Sequence, residues 1–426
     1  MPSNAPSPFA PAAILCGLAG WVPPRVVTND ELAERLDTDD AWIRTRTGIR
    51  RRHIAEPGQA TSDLAVEAGR LALRSALSSA GSGPGGGPGR RGSVDAVIVT
   101  TTTPDRPCPA TAPLVAARLG LGGAAAFDVG AVCTGFVYGL ATAAGLIASR
   151  VAERVLLIGA DVYSTIVDPL DRANAIIFGD GAGAVVLRAG HPDEPGAVGH
   201  FDLGSDGVNE DLIMVAAGGS RRPSAAASRR PSADGFGQGV EGGFRHGSAD
   251  GFGQGVEGGF RHGSADGFGQ GVEGGFRHGS ADGFGQGFDG GEPTRAERHF
   301  AMRGKEVYRH AVTRMAASAR ATLDRAGWKT DDVDHFVPHQ ANLRILHSVA
   351  DDLDLPRERC VANLDSVGNT GAASIPLALA DAAARGRIRT GDRLLLTAFG
   401  GGLTWGSCLL TWPSLPTHPQ PERTTP

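Results

Sequence analysis

Apolar residues along this chain gather in short, near-continuous runs that alternate with longer stretches in which they return every three or four positions. The runs Ala13 to Leu18, Val94 to Thr100, Ala124 to Val129, Val155 to Gly159 and Ala182 to Arg188 predict strands, and the spacing between them predicts helices over 61–80, 111–119 and 134–150. A second series repeats the scheme, with runs at Val333 to Val337, Arg393 to Thr397 and Ser407 to Leu410 and helices near 301–326, 341–353 and 372–386. Strands apolar throughout, rather than on alternate positions, belong to sheets covered on both faces. The pattern therefore predicts an α/β fold of two βαβ-rich halves.

Between the halves this pattern stops. SADGFGQGVEGGFRHG occurs at 232–247, 248–263 and 264–279 without a substitution, and a fourth, diverging copy opens at Ser280. Six of its sixteen residues are glycine and two are phenylalanine, too little apolar surface to offset the entropy of ordering the chain. Residues 223–292 are expected to be a disordered insertion, since the cost of closing a loop rises only logarithmically with its length. The sixteen-residue period and the missing GGxGxD pattern separate it from the Ca²⁺-binding nine-residue repeat. The expected organisation is a disordered tail over 1–12, a first half over 13–200, a second half made of 201–222 and 293–412, and a proline-rich tail over 413–426.

Composition narrows the class. With 426 residues, 41% hydrophobic and 20% charged, the chain can build two domain-sized cores. A formal net charge of −5 argues against a general nucleic-acid binder. The five cysteines, at 16, 108, 133, 360 and 408, show neither CxxC spacing nor a paired framework, so thiols in a reducing, cytoplasmic compartment are expected. No run approaches about 18 apolar residues, and the opening MPSNAPSPFAPAA has no basic stretch before an apolar core, so neither a membrane span nor a secretory leader is expected.

Candidate chemistry begins at Cys133, at the junction of the strand ending at Val129 and the small-residue helix that starts at Thr134. The first turn of a helix offers unpaired N–H groups and the positive end of the macrodipole, which favour a thiolate and any oxyanion formed beside it. Gly130, Ala131, Gly135 and Gly139 would leave room for a substrate chain to approach. His339 ends the apolar strand in VDHFVPHQ, and sites in α/β folds collect at such ends. Asn369 sits in GNTGAAS, just before a helix. Alone, the cysteine could be a core residue and the asparagine a turn residue. Together the three suggest one site assembled from distant segments.

At this point the chain resembles a known family. FDVGAVCTGF, VPHQANLR, GNTGAAS and AFGGGLTWG, with AWIRTRTGIRRRHIA at 41–55, DRANAIIFGDGAG at 171–183 and KEVYRHAV at 305–312, are similar to the signatures of β-ketoacyl-acyl carrier protein synthase III, the initiating condensing enzyme of the thiolase superfamily. The resemblance covers nearly the whole chain outside the ends and the insertion. It implies the five-layer αβαβα thiolase arrangement with two pseudo-twofold related halves, Cys133 coming from the first and His339 and Asn369 from the second.

The resemblance also implies roles. Cys133 would take an acyl group from an acyl-CoA primer, with the backbone N–H groups of Cys133 and Gly401 receiving the oxyanion. Malonyl-acyl carrier protein would then lose CO₂, the enolate being met by His339 Nε2 and the Asn369 amide while Phe399 faces the departing carboxylate. Trp42 and Arg172 match positions that sandwich the adenine of coenzyme A, and Arg46 matches a contact on the nucleotide phosphate side. Arg309 and Arg344 fit basic positions that dock the acidic carrier protein. Asp351 and Asp352 stand where several family members carry lysines, which weakens or redirects that docking. Cys108 takes a place often held by a Phe that borders the acyl pocket across the interface of a homodimer. No cofactor and no metal are implied.

Three other readings carry less of the sequence. A type III polyketide synthase shares the Cys, His and Asn but usually ends in a different glycine-rich turn, and PHQAN and GGGLTWG favour the initiating synthase. A hydroxymethylglutaryl-CoA synthase needs a catalytic carboxylate beside the nucleophile, and no Glu is placed for it. A non-catalytic scaffold carrying the repeat leaves three intact site residues unexplained. Within the initiating class, a starter-unit enzyme of a specialised polyketide pathway stays open, as does the choice of primer.

Overall fold

The computed structural model describes residues 10–79, 93–223 and 292–415. The sixteen-residue repeats lie outside the described residues, as do the outer parts of both expected tails. The chain divides into one unit of Met1–Ala217 with Thr294–Pro426 and another of Gly218–Pro293, and the fold that follows is that of the first.

Strand β1 (Ala12–Trp21) takes up the last residue of the expected N-terminal tail. The ribbon of β2 (Val26–Thr28) and β3 (Arg51–His53) brackets two short helices, α1 (Asn29–Ala33) and α2 (Asp40–Thr47). There follow α3 (Thr61–Ser79), β4 (Ala96–Thr100), α4 (Ala112–Arg118), β5 (Ala125–Val129), α5 (Gly135–Ala148), β6 (Arg154–Asp161), α6 (Arg172–Ala175) and β7 (Gly181–Gly190). Then come β8 (Ala197–Ser205), β9 (Ile213–Val215), β10 (Phe300–Met302), α7 (Gly304–Ala326), β11 (His335–Pro338) and α8 (Leu343–Asp352). The chain closes with α9 (Leu364–Val367), α10 (Ser374–Ala384), β12 (Arg393–Gly400) and β13 (Thr404–Thr411). The sequence pattern predicts the long elements to within a few residues but gives no sign of β8, whose AVGHFDLGS mixes buried and exposed positions irregularly.

Nine strands run in the order β11-β12-β13-β8-β1-β7-β6-β4-β5. Two blocks are visible within it, β5-β4-β6-β7-β1 and β11-β12-β13-β8, joined where β1 and β8 pair at only two positions. Each block has a parallel pair towards its outer edge and antiparallel pairs towards the join, β4 beside β6 corresponding to β11 beside β12. The expected boundary between residues 200 and 201 falls inside β8, which pairs with β13.

Alternate residues of one strand enter different cores, and this places the helices in layers. On β6, Leu156 and Ile158 pack with Leu64, Ala68 and Ala72 of α3, whereas Val155 and Leu157 pack with Phe136 and Leu140 of α5. On β12, Leu395 and Phe399 pack with Ala311 and Met315 of α7 and Leu346 of α8, whereas Leu394 and Leu396 join Ile375 and Leu379 of α10 in the core that holds α5. The layers are thus α3 and α4, the first block, α5 and α10, the second block, and α7 and α8. A helix covered by sheet on two sides has to be apolar nearly all round, which GFVYGLATAAGLIA and SIPLALADAAA are. No helix among the described residues is long and apolar enough to cross a membrane.

Candidate active site

Cys133 lies in a single 3-10 turn, Val132–Thr134, between the end of β5 and the first residue of α5. Val132 holds φ at 47°, a conformation that costs a β-branched residue about 1–3 kcal/mol and turns the chain sharply into the helix. The β12–β13 hairpin braces this turn. A Cβ on Gly400 would stand 2.9 Å from Cys133 N and 3.0 Å from Thr134 Oγ1, so only glycine lets the hairpin approach. Thr134 Oγ1 lies 2.8 Å from Thr404 Oγ1, and the Thr404 hydroxyl donates to Gly401 O at 3.1 Å. Gly135 and Gly139, expected to make room for substrate, instead let α5 settle on the sheet: Cβ atoms there would meet Thr100 at 3.1 and 2.8 Å.

The electrostatics at Cys133 run against the thiolate that the helix start was expected to favour. Cys133 is buried, and burial, with Asp161 adding to it, pushes its thiol up to about 12. The backbone N–H of Cys133 itself opposes that effect. Tyr163 Oη lies 3.7 Å from the sulfur and also favours the thiolate. Asp161, at the end of β6, accepts from Thr102 N at 2.6 Å and Ala372 N at 2.7 Å, tying the first half to the turn that follows Asn369. Burial lifts its carboxyl to about 7.

His339 and Asn369 are each held by one side of the ring or amide. The N–H of His339 donates to Thr397 O at 2.8 Å, which fixes the end of β11 on β12. Its Nδ1 is 2.6 Å from Ser374 Oγ, and Ser374 Oγ also accepts from Gln340 N at 3.3 Å. When the Ser374 hydroxyl gives its proton to Nδ1, the hydrogen of a neutral ring stands on Nε2. Burial pushes the imidazole down to about 3, so the ring is neutral at ordinary pH. Asn369 Oδ1 accepts from Gly371 N at 3.0 Å, leaving the Nδ2 donors for another partner. Gly371 holds φ at 56°, and a Cβ there would run into the Asp161 carboxylate.

Cys133, His339, Asn369 and Phe399 line one cavity of about 860 Å³ with Phe178, Ile213 and Phe300. Arg46, Arg309 and Arg344 line it too, joined by Lys305, which the sequence reading passed over although it opens KEVYRHAV one helical turn before Arg309. Trp42 carries Arg46 at 4.5 Å and Arg172 at 4.6 Å over its ring, and Arg172 donates to Asp37 O at 2.7 Å. Buried Arg52 holds the neighbouring segments, donating to Asn29 Oδ1 at 2.9 Å and to Ile176 O at 2.7 Å, next to α6. Gly401 does not line the cavity and stands beside Val132. Cys108 does not line it either and is exposed. The acidic pair on α8 is locally neutralised: Asp351 accepts from Arg357 Nε at 2.8 Å, and Asp352 pairs with Arg320 at 3.1 Å. Tyr163 and Asp161 carried no sequence signal, and Ser374 closes GNTGAAS but is an ordinary helix-opening Ser until the fold brings it to the imidazole.

Family models for 3-oxoacyl-[acyl-carrier-protein (ACP)] synthase III match residues 127–207 and, for its C-terminal part, 323–412. Beta-ketoacyl-[acyl-carrier-protein] synthase III 3 of Streptomyces coelicolor is 50% identical, over 95% of this chain and 98% of that protein. The crystal structure of 3-oxoacyl-(acyl carrier protein) synthase III from Pseudomonas aeruginosa is 43% identical, with a TM-score of 0.71 over 95% of this chain and 99% of that one. The priming β-ketosynthase of the R1128 polyketide pathway is 29% identical, with a TM-score of 0.70 over 97% and 100%. With its signature motifs, its layered fold and relatives matched almost end to end, the chain belongs to the β-ketoacyl-acyl carrier protein synthase III family of condensing enzymes.

Proposed function

We propose that this acyltransferase condenses an acyl-CoA primer with malonyl-acyl carrier protein through an acyl-Cys133 intermediate, with His339 and Asn369 serving the decarboxylative half. The observation that carries the reading is that Cys133, His339, Asn369 and Phe399 line one cavity, whose other lining groups include Arg46, Lys305, Arg309 and Arg344. Cys133 Sγ attacks the primer thioester, the C–S bond to coenzyme A breaks, and free CoA leaves as the acyl group stays on the sulfur. Backbone N–H groups of Cys133 and Gly401 receive the oxyanion. Malonyl thioester then loses CO₂, and the electron pair of that bond becomes an enolate whose oxygen accepts from Asn369 Nδ2 and His339 Nε2. A neutral imidazole suits this role, since it donates without adding a charge that would hold the carboxylate in place. Phe399 offers that carboxylate no hydrogen bond, which favours its departure as neutral CO₂. The enolate carbon attacks the acyl-Cys133 carbonyl, the C–S bond to Cys133 breaks, and the leaving thiolate takes a proton from solvent.

Adenine would enter between Trp42 and Arg172, separating a pair now in contact. Arg309 and Arg344, with Lys305, would meet the acidic carrier protein. We infer a homodimer as well: β5 is an edge strand of apolar, partly exposed residues, and Leu114 beside it is 43% exposed, a surface that a second copy would cover and that would bring Cys108 to the partner. The likeness to a polyketide priming ketosynthase supports a second reading in which the same chemistry loads a specialised starter unit. Peptide mass mapping after mixing with an acyl-CoA tests the main reading. An acyl group on the Cys133 peptide, discharged by malonyl-carrier protein with one CO₂ released per acyl group, is expected. Absence of label on Cys133 would overturn it.

A further inference from the structure

We propose that Tyr163 is a positioning residue whose hydroxyl donates to the Cys133 sulfur and thereby favours its thiolate form; this rests on Cys133 being the nucleophile. Tyr163 sits on the 3-10 turn that follows β6 and is fully buried. Its ring stacks on Phe178 at 4.4 Å and 14° and meets Phe300 edge-on at 5.7 Å and 82°. With the ring held from two sides, the hydroxyl oxygen has a fixed position, and two acceptors stand near it. Cys133 Sγ is at 3.7 Å and Thr102 Oγ1 at 3.4 Å, the latter receiving the Tyr163 proton.

One proton serves both acceptors. When the sulfur carries its hydrogen, S–H donates to Oη and O–H donates to Thr102. When the sulfur is a thiolate, O–H turns to it, a charge-assisted bond stronger than the neutral one it leaves. The other titratable groups near the sulfur do not supply this. Asp161 on β6 opposes the thiolate, His339 at the end of β11 is neutral, and Tyr138 of α5 donates to Gly204 O at 2.9 Å. The segments 371–373 and 399–404 carry no titratable side chain. Burial keeps the Tyr163 hydroxyl itself protonated. Among the described residues, this hydroxyl and the backbone N–H of Cys133 are what favour a charged sulfur.

The test is the pH profile of Cys133 alkylation by iodoacetamide in the full chain, read by mass on the Cys133 peptide, for the wild type, Tyr163→Phe and Thr102→Val. Alkylation forms an S–C bond, releases iodide and sends the thiol proton to buffer, so its rate follows the thiolate fraction. Tyr163→Phe keeps the ring and its stacking. Its profile should move up by about one pH unit, read below the thiol's raised value as a roughly tenfold slower rate. Thr102→Val removes the competing acceptor, and its profile should move down. Superimposable profiles, or a Thr102→Val profile that fails to move down, would overturn the proposal. Should Tyr163→Phe fail to fold, the direction of the Thr102→Val shift decides. Failure of acyl-CoA to label the wild type would sink the nucleophile reading and leave these profiles legible.

Discussion

At the residue scale, the site works through which atom of each group is already engaged. With the Ser374 hydroxyl donating to one side of the His339 ring and Gly371 N–H to the Asn369 carbonyl oxygen, what remains on each side chain is a donor. The three site residues were legible in the sequence because each lies in a glycine-rich or strand-end motif. Tyr163 and Asp161 were not, and Ser374 lay in GNTGAAS without a readable role, because their importance comes from neighbours some 30 to 211 positions away along the chain. Burial of a neutral His339 has a consequence for stability. The native ring stays neutral down to about pH 3, whereas in the unfolded chain it takes up a proton near pH 6.5. Its folded value is depressed, so its contribution is whole above pH 6.5 and is lost as pH falls towards 3, by about 1.4 kcal/mol per pH unit. Thermal melts of His339→Gln against the wild type should therefore show a shallower loss of stability in the variant below pH 6.5. Parallel curves would contradict the neutral, buried imidazole.

At the element scale, two close approaches position the nucleophile: the β12–β13 hairpin on the Val132–Thr134 turn, and α5 on β4 and β6. Gly400, inside AFGGGLTWG, clears the Cys133 backbone itself. Gly400→Ala should cost about 1–3 kcal/mol of stability, because the hairpin must shift by several tenths of an ångström against backbone atoms. It should also slow Cys133 acylation more than condensation from preformed acyl-enzyme. Unchanged melting and acylation would show that the turn tolerates a side chain there. Near-continuous apolar runs made most strands readable, whereas β8 and the three-residue strands β2, β3, β9 and β10 are specified by their partners rather than by a pattern of their own.

At the scale of the whole molecule, α5 and α10 between two sheet blocks bring the halves together, and Asp161 locks the join by accepting from both. The unpaired side of β5 predicts a dimer. Light scattering should give twice the chain mass, and Cys108→Phe should shift primer preference towards acetyl-CoA by filling space at the partner's pocket. A stable, fully active monomer would contradict both. The glycine-rich repeat has too few apolar residues to add a core of its own. Deleting residues 224–291 should leave the melting temperature and Cys133 acylation close to those of the full chain, and a loss of several kcal/mol would mean that the repeats pack. The division of labour between the halves is the central claim, and single-turnover discharge of preformed acyl-Cys133 by malonyl-carrier protein tests it most directly. Wild type should release CO₂ and product together. His339→Ala and Asn369→Ala should acylate normally and discharge about 10²–10³-fold more slowly, as expected for the loss of one preorganised donor. Equal loss of acylation and discharge in both variants, or discharge at the wild-type rate, would contradict the account.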